Sequence, residues 1–120
     1  MELFNLRKRI NRKTYFAGYA FYGLLVIGFL VVANISGQAQ AQSSADINPA
    51  LLAGELVYLL LAVLWVVCIA KQRANDISGK HSLIYFLLAA LLTGLLIGFL
   101  NGEDQPNRYG PVPPPGVHFD

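Results

Sequence analysis

Three uninterrupted apolar runs constrain the fold of this chain more than any other feature. They cover residues 15–35, 50–70 and 83–100, and they contain 21, 21 and 18 residues. As helices that rise about 1.5 Å per residue, they would reach about 32, 32 and 27 Å, against a bilayer hydrocarbon core of about 30 Å. None contains proline, so each run can satisfy its own backbone hydrogen bonds in lipid. The sequence therefore predicts an all-α membrane protein with three transmembrane helices in a small bundle.

The composition agrees with a membrane protein and offers little for catalysis. Hydrophobic residues make up 55% of the chain and charged residues 13%, whereas soluble domains carry roughly 25% charged residues. The net charge of +2 gives no indication of a nucleic-acid partner. Cys68 is the single cysteine, His81 and His118 fall on opposite predicted faces, and no phosphate-binding loop or catalytic triad order occurs. We therefore predict no enzyme activity, no cofactor and no metal.

The positions of the basic residues predict on which side of the membrane each loop lies. Eight of the nine precede the first run or lie between the second and third: Arg7, Lys8, Arg9, Arg12, Lys13, Lys71, Arg73 and Lys80. Lysine and arginine concentrate in the cytoplasmic loops of membrane proteins. This rule predicts a cytoplasmic N-terminus and places residues 36–49 and the tail on the outer side, where Arg108 is the exception.

The predicted organisation has three parts. A basic cytoplasmic segment covers residues 1–14, the three-span domain residues 15–100, and a proline-rich polar tail residues 101–120. Prolines favour polyproline II, so the tail is predicted to be a stiff solvated spacer, with a ligand for a partner as the alternative. Ala39 and Ala41 also form a signal-cleavage pattern, but signal cores have about 7 to 15 residues. The longer, aromatic-rich first run favours a retained span.

Glu55 is the only acid inside an apolar run. Ionisable residues in the membrane are costly and are by default functional-site hypotheses, so a proton-relay role is one interpretation. Glu55 lies about a turn and a half from the outer end of its run, and an interfacial carboxylate is the other. This residue carries our alternative functional hypothesis, a small oligomeric transporter or channel with Glu55 as its proton or cation site.

Small residues in the third run recur at four-residue steps. They are Ala90, Gly94, Gly98 and Gly102. On one helix this spacing produces a flat face that lets a second backbone approach closely. The pattern predicts helix packing, with a helix of the same chain favoured over a second copy as the partner.

The polar stretch KQRANDISGKHS, residues 71–82, separates the second and third runs. Arg73 and Asp76 stand three residues apart and are predicted to pair on the last helical turn, but an exposed pair contributes only about 0 to 1 kcal/mol. The cations oppose translocation of the stretch, and Ser78 and Gly79 suit a turn. We predict a topological hinge, with a binding surface and a catalytic loop as the alternatives.

Three motifs resemble those of a known family. They are RINRKTYFAGY from Arg9 to Tyr19, RANDISGKHS from Arg73 to Ser82, and NRYGP from Asn107 to Pro111. Together they resemble the small bacterial inner-membrane proteins of domain of unknown function 805. The family usually carries histidine where this chain has Asn75. The resemblance implies a multi-span inner-membrane protein, and it supplies no reaction.

The apolar runs, the basic residues and the motifs together support one functional hypothesis. We predict a structural or partner-binding component of the bacterial inner membrane, in contact with the lipid bilayer and with a second copy or another membrane protein. The candidate functional residues are Glu55, Arg73, Asp76, Asn107, Arg108 and Tyr109.

Overall fold

The structure, a computed structural model, describes residues 5–43, 49–92 and 94–119. These residues form four helices: α1 (Arg12–Ser43), α2 (Pro49–Ile77), α3 (Ser82–Leu91) and α4 (Gly94–Phe99). In this part of the chain the only β-type pairing is an isolated bridge between Asn107 and Gly110. The prediction of an all-helical fold is confirmed.

Both ends of α1 lie outside the first apolar run. The helix begins at Arg12 because the Asn11 side chain caps it, with its Oδ1 accepting the Thr14 amide at 2.8 Å. It continues to Ser43 through alanine and glutamine, which are good helix formers. Most of the connector predicted over residues 36–49 is therefore helix.

The second helix also extends past its apolar run, mainly at its C-terminal end. It begins at Pro49, as the preference of proline for the first helical position predicts. The preceding residue, Asn48, is of a type that often caps helices, and it lies outside the described residues. At the other end α2 runs to Ile77, so much of the predicted hinge is helical, and the turn covers only residues 78–81.

Long apolar helices and their exposed side chains fit a lipid environment. Both α1 and α2 contain windows long and apolar enough to cross a membrane. In α2 no residue before Ala62 is buried, and the exposed fraction of Leu60 reaches 68%. Around residues 49–61 the described part of the protein is therefore a pair of helices, α1 and α2.

The predicted third span is not confirmed, because the chain turns back inside it. Its residues form two helices, α3 and α4, on either side of residues 92–93. Helix α3 begins beside Asn75, whose Oδ1 accepts the Ser82 hydroxyl at 2.6 Å, and α4 ends beside Arg73, whose Nε donates to the Ile97 oxygen at 3.3 Å. Ten residues of α3 rise only about 15 Å, half the hydrocarbon core. The two helices thus form a short helical hairpin.

The tail folds back over the N-terminal segment. Arg9 Nη1 donates to the backbone oxygens of Gln105 and Gly110, both at 3.0 Å. Asn11 Nδ2 donates to those of Pro114 and Gly116, both at 2.7 Å. The tail is therefore docked through its backbone carbonyls and is not a free spacer. The tail and the N-terminal segment therefore lie at the same end of the structure, whereas the sequence analysis placed them on opposite sides of a membrane after a third crossing.

Candidate functional site

A buried carboxylate, Asp76, lies between two arginines on the last turn of α2. Its Oδ1 accepts from Arg9 Nε at 3.1 Å and lies 2.9 Å from Arg9 Nη2, and its Oδ2 accepts from Arg73 Nη1 at 2.6 Å. All three residues are buried, and the exposed fraction of Arg73 is 1%. We call Arg9, Arg73 and Asp76 the ionic cluster. The predicted pair of Arg73 and Asp76 does form, but it is buried, so the small energy of an exposed pair does not apply.

Backbone carbonyls accept further hydrogen bonds from the two guanidinium groups. Arg73 donates to the oxygens of Ile10, Ile97 and Leu100, and Arg9 Nη2 donates to the Glu103 oxygen at 2.8 Å. The carbonyls at a helix C-terminus lack partners within the helix and carry partial negative charge. The end of α4 therefore compensates part of the excess positive charge, and the ionic cluster ties the N-terminal segment, α2, α4 and the tail together.

Beside the ionic cluster, Asn75 bonds to the N-terminal segment, to α2 and to the start of α3. Its Nδ2 donates to the Leu6 and Lys8 oxygens at 2.7 and 2.9 Å. Its Oδ1 accepts from Lys71 Nζ and from the Ser82 hydroxyl, both at 2.6 Å. The sequence analysis did not assign a role to Asn75 or Ser82. The available signal was the four-residue spacing of Lys71 and Asn75, which places both on one helix face.

The NRYGP motif forms a turn that contacts both Asn75 and the ionic cluster. Asn107 Nδ2 donates to the Asn75 backbone oxygen at 3.0 Å, while Asn107 Oδ1 accepts the Tyr109 amide at 2.8 Å. The Asn107 and Gly110 backbones bond to each other in both directions, at 3.0 and 2.9 Å. Gly110 has φ = 124°, a conformation that favours glycine. This turn presents the Gly110 oxygen to Arg9, so all three sequence motifs meet at one place.

Arg108 and Tyr109 lie on the outer side of this turn. Lys71 Nζ is 4.8 Å and the Arg108 guanidinium carbon 5.0 Å from the Tyr109 ring centroid, and Arg108 Nη2 donates to the phenol oxygen at 2.9 Å. A side-chain hydrogen bond with Ser82 outweighs the effect of burial and, together with Arg108 and Lys71, lowers the pKa of the Tyr109 phenol. We call Lys71, Arg108 and Tyr109 the Tyr109 patch.

Every side chain of the ionic cluster serves to hold the chain together. Among the described residues, no buried side-chain nitrogen or oxygen lacks a hydrogen-bond partner. Within the same ranges, no three His, Cys, Asp or Glu side chains come together as a metal site. Both oxygens of Asp76 are engaged by guanidinium groups. This arrangement is that of a structural polar core.

Glu55 lies far along α2 from the ionic cluster. It is half-buried and lines a groove of about 330 Å³ between the outer parts of α1 and α2. Gly28, Val32 and Tyr58 line the same groove. The structure does not bring Glu55 together with the other candidate residues.

The small residues of the third run do not share one helix face. Ala90 is exposed on α3, Gly94 and Gly98 belong to α4, and Gly102 follows it beside the Asp76 carboxylate. A Cβ atom at Gly98 would lie 2.7 Å from Phe16 Cζ of α1. Gly94 and Gly98 therefore allow α4 to approach α1 of the same chain.

These features define an all-helical protein with two helices apolar enough to cross a membrane and a buried ionic cluster at one end of them. The chain belongs to the family described as protein of unknown function (DUF805), whose model matches residues 3–111. The resemblance in the three motifs is thereby confirmed. No curated protein and no solved structure matches the chain.

Replacing Asn107 with alanine is expected to lower the free energy of unfolding by about 1–3 kcal/mol, because it leaves buried backbone groups without a partner. The measurement is a denaturant titration of the purified protein in detergent micelles. Gln105→Ala is the matched control, since its side chain is exposed and only its backbone oxygen bonds to Arg9. Equal losses in the two variants would contradict the assigned role of the Asn107 side chain.

Proposed function

We propose that this protein is a structural or partner-binding component of the bacterial inner membrane and performs no catalysis. The observation that carries the proposal is that the charges of the ionic cluster are bound within the chain. Asp76 has both oxygens bound by arginine, and Arg9 and Arg73 also donate to backbone carbonyls. Buried groups that are bound in this way favour a structural role.

The proposed orientation places this end of the molecule in the cytoplasm. Since the tail returns to the N-terminal segment, Arg108 joins the other eight basic residues at one end, and the exception noted in the sequence disappears. Concentration of lysine and arginine on one side favours the cytoplasmic side. The chain would then cross the inner membrane twice, with α3 and α4 entering from the cytoplasm and both termini inside.

The surface proposed for a partner is the outer half of α1 and α2. Leu24, Ile27 and Leu60 are exposed there. Lipid can cover such a surface, and so can a helix of another membrane protein or of a second copy. A two-helix unit with a rigid cytoplasmic end is suited to assembly into a larger membrane complex.

Site-specific photocrosslinking in intact cells tests this function. A photoreactive residue at position 24 or 60 is expected to give a discrete protein adduct, whereas one at the exposed Leu87 of α3 is expected to give lipid adducts only. The comparison is matched because all three side chains are exposed leucines in helices. Lipid adducts alone at every position would refute partner binding.

The groove beside Glu55 favours a second candidate function, a small oligomeric transporter or channel. A carboxylate in an apolar groove is suited to exchange protons or bind a cation. If this function holds, Glu55→Gln abolishes pH-coupled flux in reconstituted vesicles, while the exposed-acid control Asp104→Asn leaves it intact. Equal flux in the two variants would exclude this role of Glu55.

A further inference from the structure

The Tyr109 patch holds two positive charges that no carboxylate neutralises. In residues 5–43, 49–92 and 94–119, the ion pairs are those of Asp76 with Arg9 and Arg73. Lys71 Nζ donates to two neutral oxygens, those of Asn75 and Ser82, and Arg108 donates to the neutral phenol of Tyr109. The patch therefore presents an uncompensated double positive charge at the surface.

The patch is held in place more firmly than an ordinary surface cluster. Asn75 and Ser82, which fix Lys71, are fully buried. The turn from Asn107 to Gly110, closed by two backbone hydrogen bonds, holds the Tyr109 ring within 5.0 Å of both cations. A ligand that binds a preorganised group loses less free energy to ordering. The patch is therefore organised for an anion before any ligand arrives.

An exposed apolar face begins directly beside the patch. Ser82 is the first residue of α3, and the exposed fractions of the following Leu83 and Ile84 are 61% and 56%. Leu87 continues this face one turn further along. A ligand that satisfies both surfaces has an anionic head and apolar chains. Phosphate oxygens accept strong hydrogen bonds from arginine, lysine and phenol groups, and acyl chains cover leucines.

We propose that the Tyr109 patch binds one anionic phospholipid from the leaflet at this end of the protein. Its phosphate accepts hydrogen bonds from Lys71 and Arg108, and an acyl chain follows Leu83 and Leu87. This inference rests on the proposed function in one respect, the placement of this end at a membrane surface. It adds a specific lipid site to that function.

Lipid titration by native mass spectrometry of the full-length protein in detergent tests the site. The probes are phosphatidylglycerol and, as the zwitterionic comparison, phosphatidylcholine. We expect Arg108→Gln to weaken phosphatidylglycerol binding about fivefold, the effect of one basic residue at an anionic membrane surface. Arg108→Lys is expected to keep most of the affinity, and phosphatidylcholine binding should not change. Arg7→Gln is the matched control, since Arg7 is also exposed and close to the same end.

Each other result overturns the proposal. Unchanged phosphatidylglycerol binding in Arg108→Gln would remove the site, and an equal loss in Arg7→Gln would show a diffuse electrostatic effect. Displacement of the lipid by millimolar inorganic phosphate would assign the patch to a soluble anion. Because this assay does not depend on orientation in a cell, its failure is separate from a failure of the proposed topology. If the protein had the reverse orientation, an Arg108-dependent lipid site would still exist and would bind a lipid of the opposite leaflet.

Discussion

Asp76→Asn is expected to lower the free energy of unfolding by about 3–5 kcal/mol, the effect of leaving buried charges without their partner. Arg9 and Arg73 would remain buried with no carboxylate between them. Asparagine keeps the shape of the side chain, so the loss reports mainly the charge. The measurement is a denaturant titration in micelles, followed through the fluorescence of Trp65, the single tryptophan.

The control for this substitution is Asp104→Asn, because Asp104 is exposed and adjacent to the same cluster in the fold. Exposed substitutions usually change stability by about 0.5 kcal/mol or less. Adding Arg9→Gln to Asp76→Asn is expected to recover part of the loss, since it removes one of the two uncompensated charges. Equal small losses for Asp76→Asn and Asp104→Asn would contradict a buried ionic cluster.

Gly98→Leu is expected to destabilise the protein by about 1–3 kcal/mol, the usual effect of overpacking a close contact. A Cβ atom at this position would already lie 2.7 Å from Phe16 Cζ and 3.1 Å from Tyr15 Cδ1. The larger side chain must push α4 away from α1, and the Ile97 and Leu100 carbonyls would then move away from Arg73. The same denaturant titration measures the loss.

Gly23→Leu is the matched control, since a Cβ atom at Gly23 has no neighbour within 4 Å. It introduces the same side chain into a helix and is expected to leave stability nearly unchanged. The pair also separates packing within one chain from packing between copies. If Gly98→Leu altered only the oligomeric state and left the stability of the monomer intact, the contact of α4 with α1 would be refuted.

Helix content and the first two long helices could be predicted from the sequence. Length and hydropathy fix them, and Pro49 marks the start of α2. The hairpin of α3 and α4 could not be predicted in the same way, because residues 83–100 have the composition of a span. The hairpin depends on a contact between residues far apart in the sequence, because Arg73 donates hydrogen bonds to the carbonyls at the end of α4. The short length of the run and its glycines were the available signals.

Part of the candidate site was also predictable. The three-residue spacing of Arg73 and Asp76 indicated a pair, and the three motifs contained most of the residues that meet. The burial of the pair was not predictable, because Arg9 lies 67 residues from Asp76 and reaches it only when the N-terminal segment packs on α2. The tail is held against Arg9 through its backbone carbonyls. Every residue type has such a carbonyl, so the amino-acid sequence does not indicate this contact.

The side of the membrane on which the two ends of the chain lie tests the central claim most directly. Single cysteines at the exposed positions Leu6 and Val117, placed in a Cys68→Ala background, are treated with a membrane-impermeant maleimide on intact and then on permeabilised spheroplasts. Because the tail is bonded to the N-terminal segment, we predict protection of both cysteines in intact spheroplasts and labelling of both after permeabilisation. Labelling of position 117 from outside while position 6 stays protected would contradict the account.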